Sequence, residues 1–85
     1  MEQDKLHIRL RIDQLERLLM FDYEPGCEDA LFDICDDRGN ILKTGEVNGP
    51  VTRVRVTDLQ GEDFYLMVLD GESSMVQPFQ LRRVA

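Results

Sequence analysis

The chain has only one histidine and two cysteines among its 85 residues, and these shortages weigh against metal chemistry. A zinc site draws four ligands from Cys, His and carboxylate; with His7 the only histidine, no such set is expected. Cys27 and Cys35 stand in a sequence without a secretory leader and read as reduced thiols, although a disulfide across their short loop is the open alternative. Bases are outnumbered by acids, ten to seventeen, and the net charge of -7 leaves no basic tract to neutralise phosphates. Nucleic acid is therefore not an expected partner, and the only adjacent bases, Arg82 and Arg83, lie near the end. No stretch approaches the roughly 20 apolar residues of a membrane span. The start, Met1-Glu2-Gln3-Asp4, carries neither a basic leader nor an apolar segment. Taken as the native start, it places the protein in the cytoplasm. No Ser, His and Asp set, no Cys beside a base and no glycine-rich phosphate loop can be assembled, so neither an enzyme nor a cofactor is expected.

What is present is the composition of a folded domain: 42% hydrophobic and 32% charged residues. A chain of this length supports one core. From Lys5 to Ile12 apolar and polar residues alternate, with Leu6, Ile8, Leu10 and Ile12 on one side and His7, Arg9 and Arg11 on the other. That is a half-buried strand, and it makes His7 a solvated strand residue. At Asp13 the period changes. Ile12, Leu15, Leu18 and Leu19 recur at helical spacing, and Asp13 with Glu16 matches a helix-capping pair. Residues 13–21 thus read either as a short helix, Gln14 to Phe21, or as a second strand through Arg17-Leu18-Leu19-Met20-Phe21. Pro25-Gly26 ends either element.

Beyond this point strands and turns alternate. Strands are expected at Ala30–Cys35, Ile41–Thr44, Thr52–Val56, Phe64–Leu69 and Met75–Arg83, separated by Asp37-Arg38-Gly39-Asn40, Asn48-Gly49-Pro50, Gln60-Gly61 and Asp70-Gly71. Turn signals every 8–12 residues or so predict an all-β protein, an antiparallel immunoglobulin-like β-sandwich of six or seven short strands in a single domain. Asp33, Asp36 and Asp37 form the densest acidic knot. They do not keep the intervals of a calcium loop, and Arg38 interrupts them. A hairpin turn is the better reading, with Asp36 bonding back to the backbone and Gly39 left-handed.

Several segments together carry a resemblance. Phe32-Asp33-Ile34-Cys35-Asp36 followed by Gly39, then Ile41-Leu42-Lys43-Thr44, Val54-Arg55-Val56-Thr57-Asp58-Leu59, Phe64-x-Leu66-x-Val68 with Asp70-Gly71, and Phe79-x-Leu81-Arg82-Arg83 are similar to the C-terminal sorting domains of the Bacteroidetes type IX (Por) secretion system. The similarity spans residues 30–84. It implies a non-catalytic β-sandwich with an accessory, sorting or docking role in the periplasm or at the cell surface, its last strand with Arg82 and Arg83 read by a secretion machine. Where that family has Leu-Pro-x-Gly-x-Tyr, this chain has Leu59-Gln60-Gly61-Glu62-Asp63-Phe64.

Phe64-Tyr65-Leu66-Met67-Val68-Leu69 is apolar on both sides, with Phe64, Leu66 and Val68 pointing one way and Tyr65, Met67 and Leu69 the other. Such a strand must be covered on both faces or left adhesive. Leu15, Leu18 and Leu19 are the expected internal cover. The alternative makes Tyr65, Met67 and Leu69 a surface for a protein partner or for self-association, since Tyr and Met are enriched where proteins meet. A weaker third reading is a sugar platform of aromatic and acidic side chains.

Overall fold

The computed structural model describes residues 8–82; His7 and Arg83 lie outside this range. Seven strands follow in order: β1 (Arg9–Asp13), β2 (Leu18–Asp22), β3 (Leu31–Asp36), β4 (Ile41–Glu46), β5 (Val51–Arg55), β6 (Asp63–Asp70) and β7 (Ser73–Gln80). They form two sheets, β1-β2-β5 and β4-β3-β6-β7, in which every pairing is antiparallel. This is an immunoglobulin-like connectivity in which the fourth strand pairs with the third instead of extending the first sheet beside the fifth. Among the described residues there is no helix long and apolar enough to cross a membrane.

Residues 13–21 settle as a turn and a strand, not as a helix. Asp13 Oδ1 accepts the N–H groups of Leu15 (3.2 Å) and Glu16 (3.1 Å), as the capping pattern predicts. One turn later Arg17 adopts φ 55°, a left-handed conformation that reverses the chain into β2. Leu18–Asp22 then pairs with β1 on one side and β5 on the other. A segment this short gains more from two ladders and a buried face than from two turns of isolated helix.

Alternation sorts the side chains. Leu19, Phe21, Val54 and Val56 from the first sheet meet Phe32, Ile34, Phe64, Leu66, Val68 and Phe79 from the second, all buried. Phe21 and Phe32 meet edge to face with ring centres 5.8 Å apart, and Phe64 stacks on Phe79 at 5.6 Å. Each fully buried side chain of this size contributes about 1.5–3 kcal/mol. Ile8, Leu10 and Ile12 close the core at the β1 edge. Thr52, the one buried polar residue among those described, is satisfied because its hydroxyl accepts the Asn48 N–H at 2.9 Å.

β4 runs through Gly45 where the sequence suggested an end at Thr44. Gly45 lies opposite Phe32, whose ring covers it so closely that an added Cβ would stand 2.7 Å from Phe32 Cε2. The glycine is what allows the aromatic ring to fold across the strand. Gly45→Val is expected to lower stability by about 1–3 kcal/mol in denaturant unfolding, and combining it with Phe32→Leu should recover part of the loss. An unchanged unfolding midpoint in the single variant would contradict this packing.

Candidate functional site

The outer face of the four-stranded sheet is built from three cross-strand rows. Glu46, Leu31, Leu69 and Ser74 form one; Thr44, Asp33, Met67 and Val76 the next; Ile41, Cys35, Tyr65 and Pro78 the third. A register shift between Ile34 and Cys35 places two consecutive β4 residues on this side. Lys43 faces inward opposite Ile34, so Leu42 faces out, and the bulge turns Ile41 out as well. Six large hydrophobic residues are exposed in the described chain, and five of them lie on this face: Ile41 (63%), Val76 (55%), Leu31 (42%), Leu42 (41%) and Tyr65 (39%).

Tyr65, Met67 and Leu69 therefore point outward as their alternation predicts. The internal cover expected from Leu15, Leu18 and Leu19 is absent because these residues belong elsewhere. Leu19 is buried between the sheets, Leu18 lies on the outer side of the other sheet, and Leu15 is 86% exposed in the β1–β2 turn. Asp33 is the acid in the middle of the apolar rows, with Glu46 and Asp63 at the margins. Cys35 is buried between Ile41 and Tyr65, and burial first, then the charges of Asp33 and Asp36, push its thiol above the ordinary range. At the hairpin end, Asp37, Asp63, Tyr65, Pro78 and Gln80 surround a shallow depression.

The acidic knot is a turn. Asp36 Oδ1 accepts the N–H groups of Arg38 and Asn40, both at 2.9 Å, and its Oδ2 accepts the Asn40 side-chain amide at 3.1 Å. Gly39 sits at φ 88°. The Asn40 side chain, then the Asn40 and Arg38 N–H groups, hold the Asp36 carboxyl below its usual range. Both oxygens are thus engaged within the hairpin. Cys27 and Cys35 are free thiols near opposite ends of β3: Cys27 N–H reaches Asp70, whereas Cys35 pairs with Tyr65 five residues away along β6.

Arg82 is fixed through its backbone. Its N–H donates to Gln14 Oε1 at 2.9 Å and its C=O accepts from Arg17 Nη1 at 2.7 Å, clasping the end of the chain to the β1–β2 turn. The side chain of Arg82 is exposed, two residues beyond Gln80, whose partner Asp63 lies two residues before Tyr65.

Two arrangements were missed in the sequence. The first is a basic face on the smaller sheet, where Arg9, Arg11, Arg53 and Arg55 point outward from β1 and β5 across Met20 and Leu18 of β2. Only Arg11 has a charged partner there among the described residues, Asp22 at 2.6 Å. The signal was the spacing Arg-x-Arg, present in both strands, which sets both arginines of each strand on one side.

The second is a clasp around Asp70. The β6–β7 turn is formed by Gly71 and Glu72, because Asp70 still pairs with Ser73. With Gly71 at φ 64°, this is a turn that takes glycine at its first central position. Asp70, released from the turn, accepts the Tyr23 hydroxyl at 2.6 Å, the Gly26 N–H at 2.7 Å and the Cys27 N–H at 3.0 Å. These bonds, Tyr23 foremost, pull the Asp70 carboxyl down to about 2, while burial and then the bond to Asp70 push Tyr23 up to about 12.

No family model matches the sequence, and no curated protein matches it.

The clasp sets a pH dependence. Asp70 is a stronger acid folded than unfolded, so its contribution is complete near neutrality, starts to fall as the pH drops below about 4, and is gone below about 2. Tyr23 is a weaker acid folded, so its contribution holds below pH 10 and is lost between about 10 and 12. Thermal unfolding from pH 6 to 2 is expected to show a shallower decline in Asp70→Asn than in the parent. Tyr23→Phe should cost about 1–2 kcal/mol at pH 7 and flatten the alkaline limb. Parallel acid limbs for parent and Asp70→Asn would contradict the assignment.

Proposed function

We propose that this chain is a non-catalytic docking module, of the accessory or sorting kind that its sequence resembles, and that it binds a protein partner through the outer face of the β4-β3-β6-β7 sheet. The observation that carries the reading is the gathering of five of the six exposed large hydrophobic side chains on that face. Scattered exposed apolar residues are ordinary, whereas a contiguous patch marks an interaction surface. Tyr65 supplies a large, stiff contact with a polar tip, and Met67 and Leu69 are half-buried beside it.

The charges on the face narrow the partner. Asp33 lies among the apolar rows, Glu46 and Asp63 lie at the edge, and Lys43 faces away to pair with Asp58 at 3.1 Å. Two copies related by a two-fold axis through this face would bring like charges together, which disfavours self-association there. A partner with an apolar surface and a lysine or arginine placed to meet Asp33 fits better. In the sorting variant of the reading, Arg82 at the exit of β7 extends the contact past the Asp63–Gln80 end of the same sheet.

Photo-crosslinking amino acids placed at positions 65, 76 and 15 in the producing cell test the reading. Adducts of one defined mass are expected from positions 65 and 76 and not from the more exposed position 15. Tyr65→Ser combined with Met67→Ser should abolish the adduct from position 76 while shifting stability by no more than about 1 kcal/mol. Equal labelling from all three positions, or none from 65 and 76, would defeat the proposal.

A further inference from the structure

We propose a second binding site, independent of the Tyr65 face: the open edge of β5, which takes up an extended strand from a partner protein carrying acidic residues at alternate positions. In immunoglobulin constant domains a further strand lies beside the fifth strand, so that the corresponding sheet has four strands. Here β4 has gone to the other sheet, and β5 is left with β2 as its one neighbour.

The hydrogen bonds show which backbone groups face that edge. Val56 N–H donates to Arg17 C=O and Tyr23 N–H to Pro50 C=O, each at 2.9 Å. Antiparallel strands exchange bonds at every second residue, so Thr52 and Val54 also face β2. The N–H and C=O groups of Val51, Arg53 and Arg55 then face outward. The second sheet protects its own edges. Pro78 stands at an outward-facing position of β7 and offers no N–H there, and β4 carries the bulge at Leu42. β5 has neither device within Val51–Arg55.

Charge selects what pairs there. Arg53 and Arg55 are exposed, lie on the same side about 7 Å apart and have no charged partner among the described residues. A strand added about 4.8 Å away would set its own alternate side chains opposite these two arginines, where carboxylates are favoured and bases repelled. Arg9 and Arg11 reinforce the field across the sheet, against Asp13 and Asp22. Because the chain as a whole carries -7, a free polyanion is repelled at longer range. A strand adding its own main-chain hydrogen bonds meets both requirements.

The test uses the full chain, labelled for amide NMR, and an end-capped peptide Glu-Val-Glu-Val-Glu-Val. The expected result is saturable binding with slowed exchange of the Val51, Arg53 and Arg55 amides, no slowing at Ser74, Val76 or Gln80, and weakening by added salt. A peptide with Lys in place of Glu should fail to bind. Arg53→Glu with Arg55→Glu should weaken the acidic peptide about tenfold or more and admit the Lys peptide. Both positions are exposed, and an unchanged melting temperature separates lost binding from lost folding. Binding without slowed β5 amides, slowing at another edge, no binding at millimolar peptide, or preference for an oligonucleotide over the peptide would each overturn the proposal.

Discussion

The reversal at residues 13–17 is the constraint on which the two sheets depend. Asp13 draws in the N–H groups of Leu15 and Glu16, and Arg17 accepts a left-handed backbone that a residue with a Cβ adopts at a cost. That cost, of order 1–3 kcal/mol, is offset by what the turn brings together. Arg17 C=O receives Val56 N–H, its guanidinium holds Arg82 C=O, and Gln14 receives Arg82 N–H. One short turn thereby fixes the start of β2, the end of β5 and the exit of β7.

From β2 the asymmetry of the molecule follows. Its buried residues Leu19 and Phe21 cover the inner side of the larger sheet, and its outward residues Leu18, Met20 and Asp22 lie among four arginines. Once β2 is committed to this position, nothing among the described residues lies over the outer side of the larger sheet, whose central strand is apolar on both sides. The sandwich thus has one face that is apolar with interspersed acids and another where arginines predominate. That division of charge and apolarity gives each proposed binding site its own chemistry.

Much of the fold was legible because strand alternation is a local property. Phe64, Leu66 and Val68 inward with Tyr65, Met67 and Leu69 outward, Val54 and Val56 inward, and Gly39 in a left-handed turn could each be read from neighbouring residues. Residues 13–21 were ambiguous because Ile12, Leu15, Leu18 and Leu19 fit a helix as well as a turn and a strand. The decision lay with β1 and β5, which the local pattern does not contain. The cover over Tyr65 was misread for the same reason: Leu15, Leu18 and Leu19 share a helical stripe, but as a turn and strand they point in three different directions. The Asp70 clasp and the arginine face join residues 30 or more positions apart, and no spacing rule reaches that far. The turn at Gly71-Glu72 displaced by one residue what Asp70-Gly71 suggested, and that single step freed the carboxylate to reach Tyr23.

The central claim is that the outer face of the larger sheet stands open to solvent in the isolated chain. Side-chain methyl NMR with a soluble paramagnetic agent, recorded on dilute protein, tests it most directly. The account predicts strong broadening of the Ile41, Leu42 and Val76 methyls, comparable to that of Leu15, partial broadening at Met67, and none at Leu19, Val54 or Leu66. Shielding of Ile41, Val76 and Met67 to the level of Leu66 would mean that the chain covers this face itself, and would contradict the account.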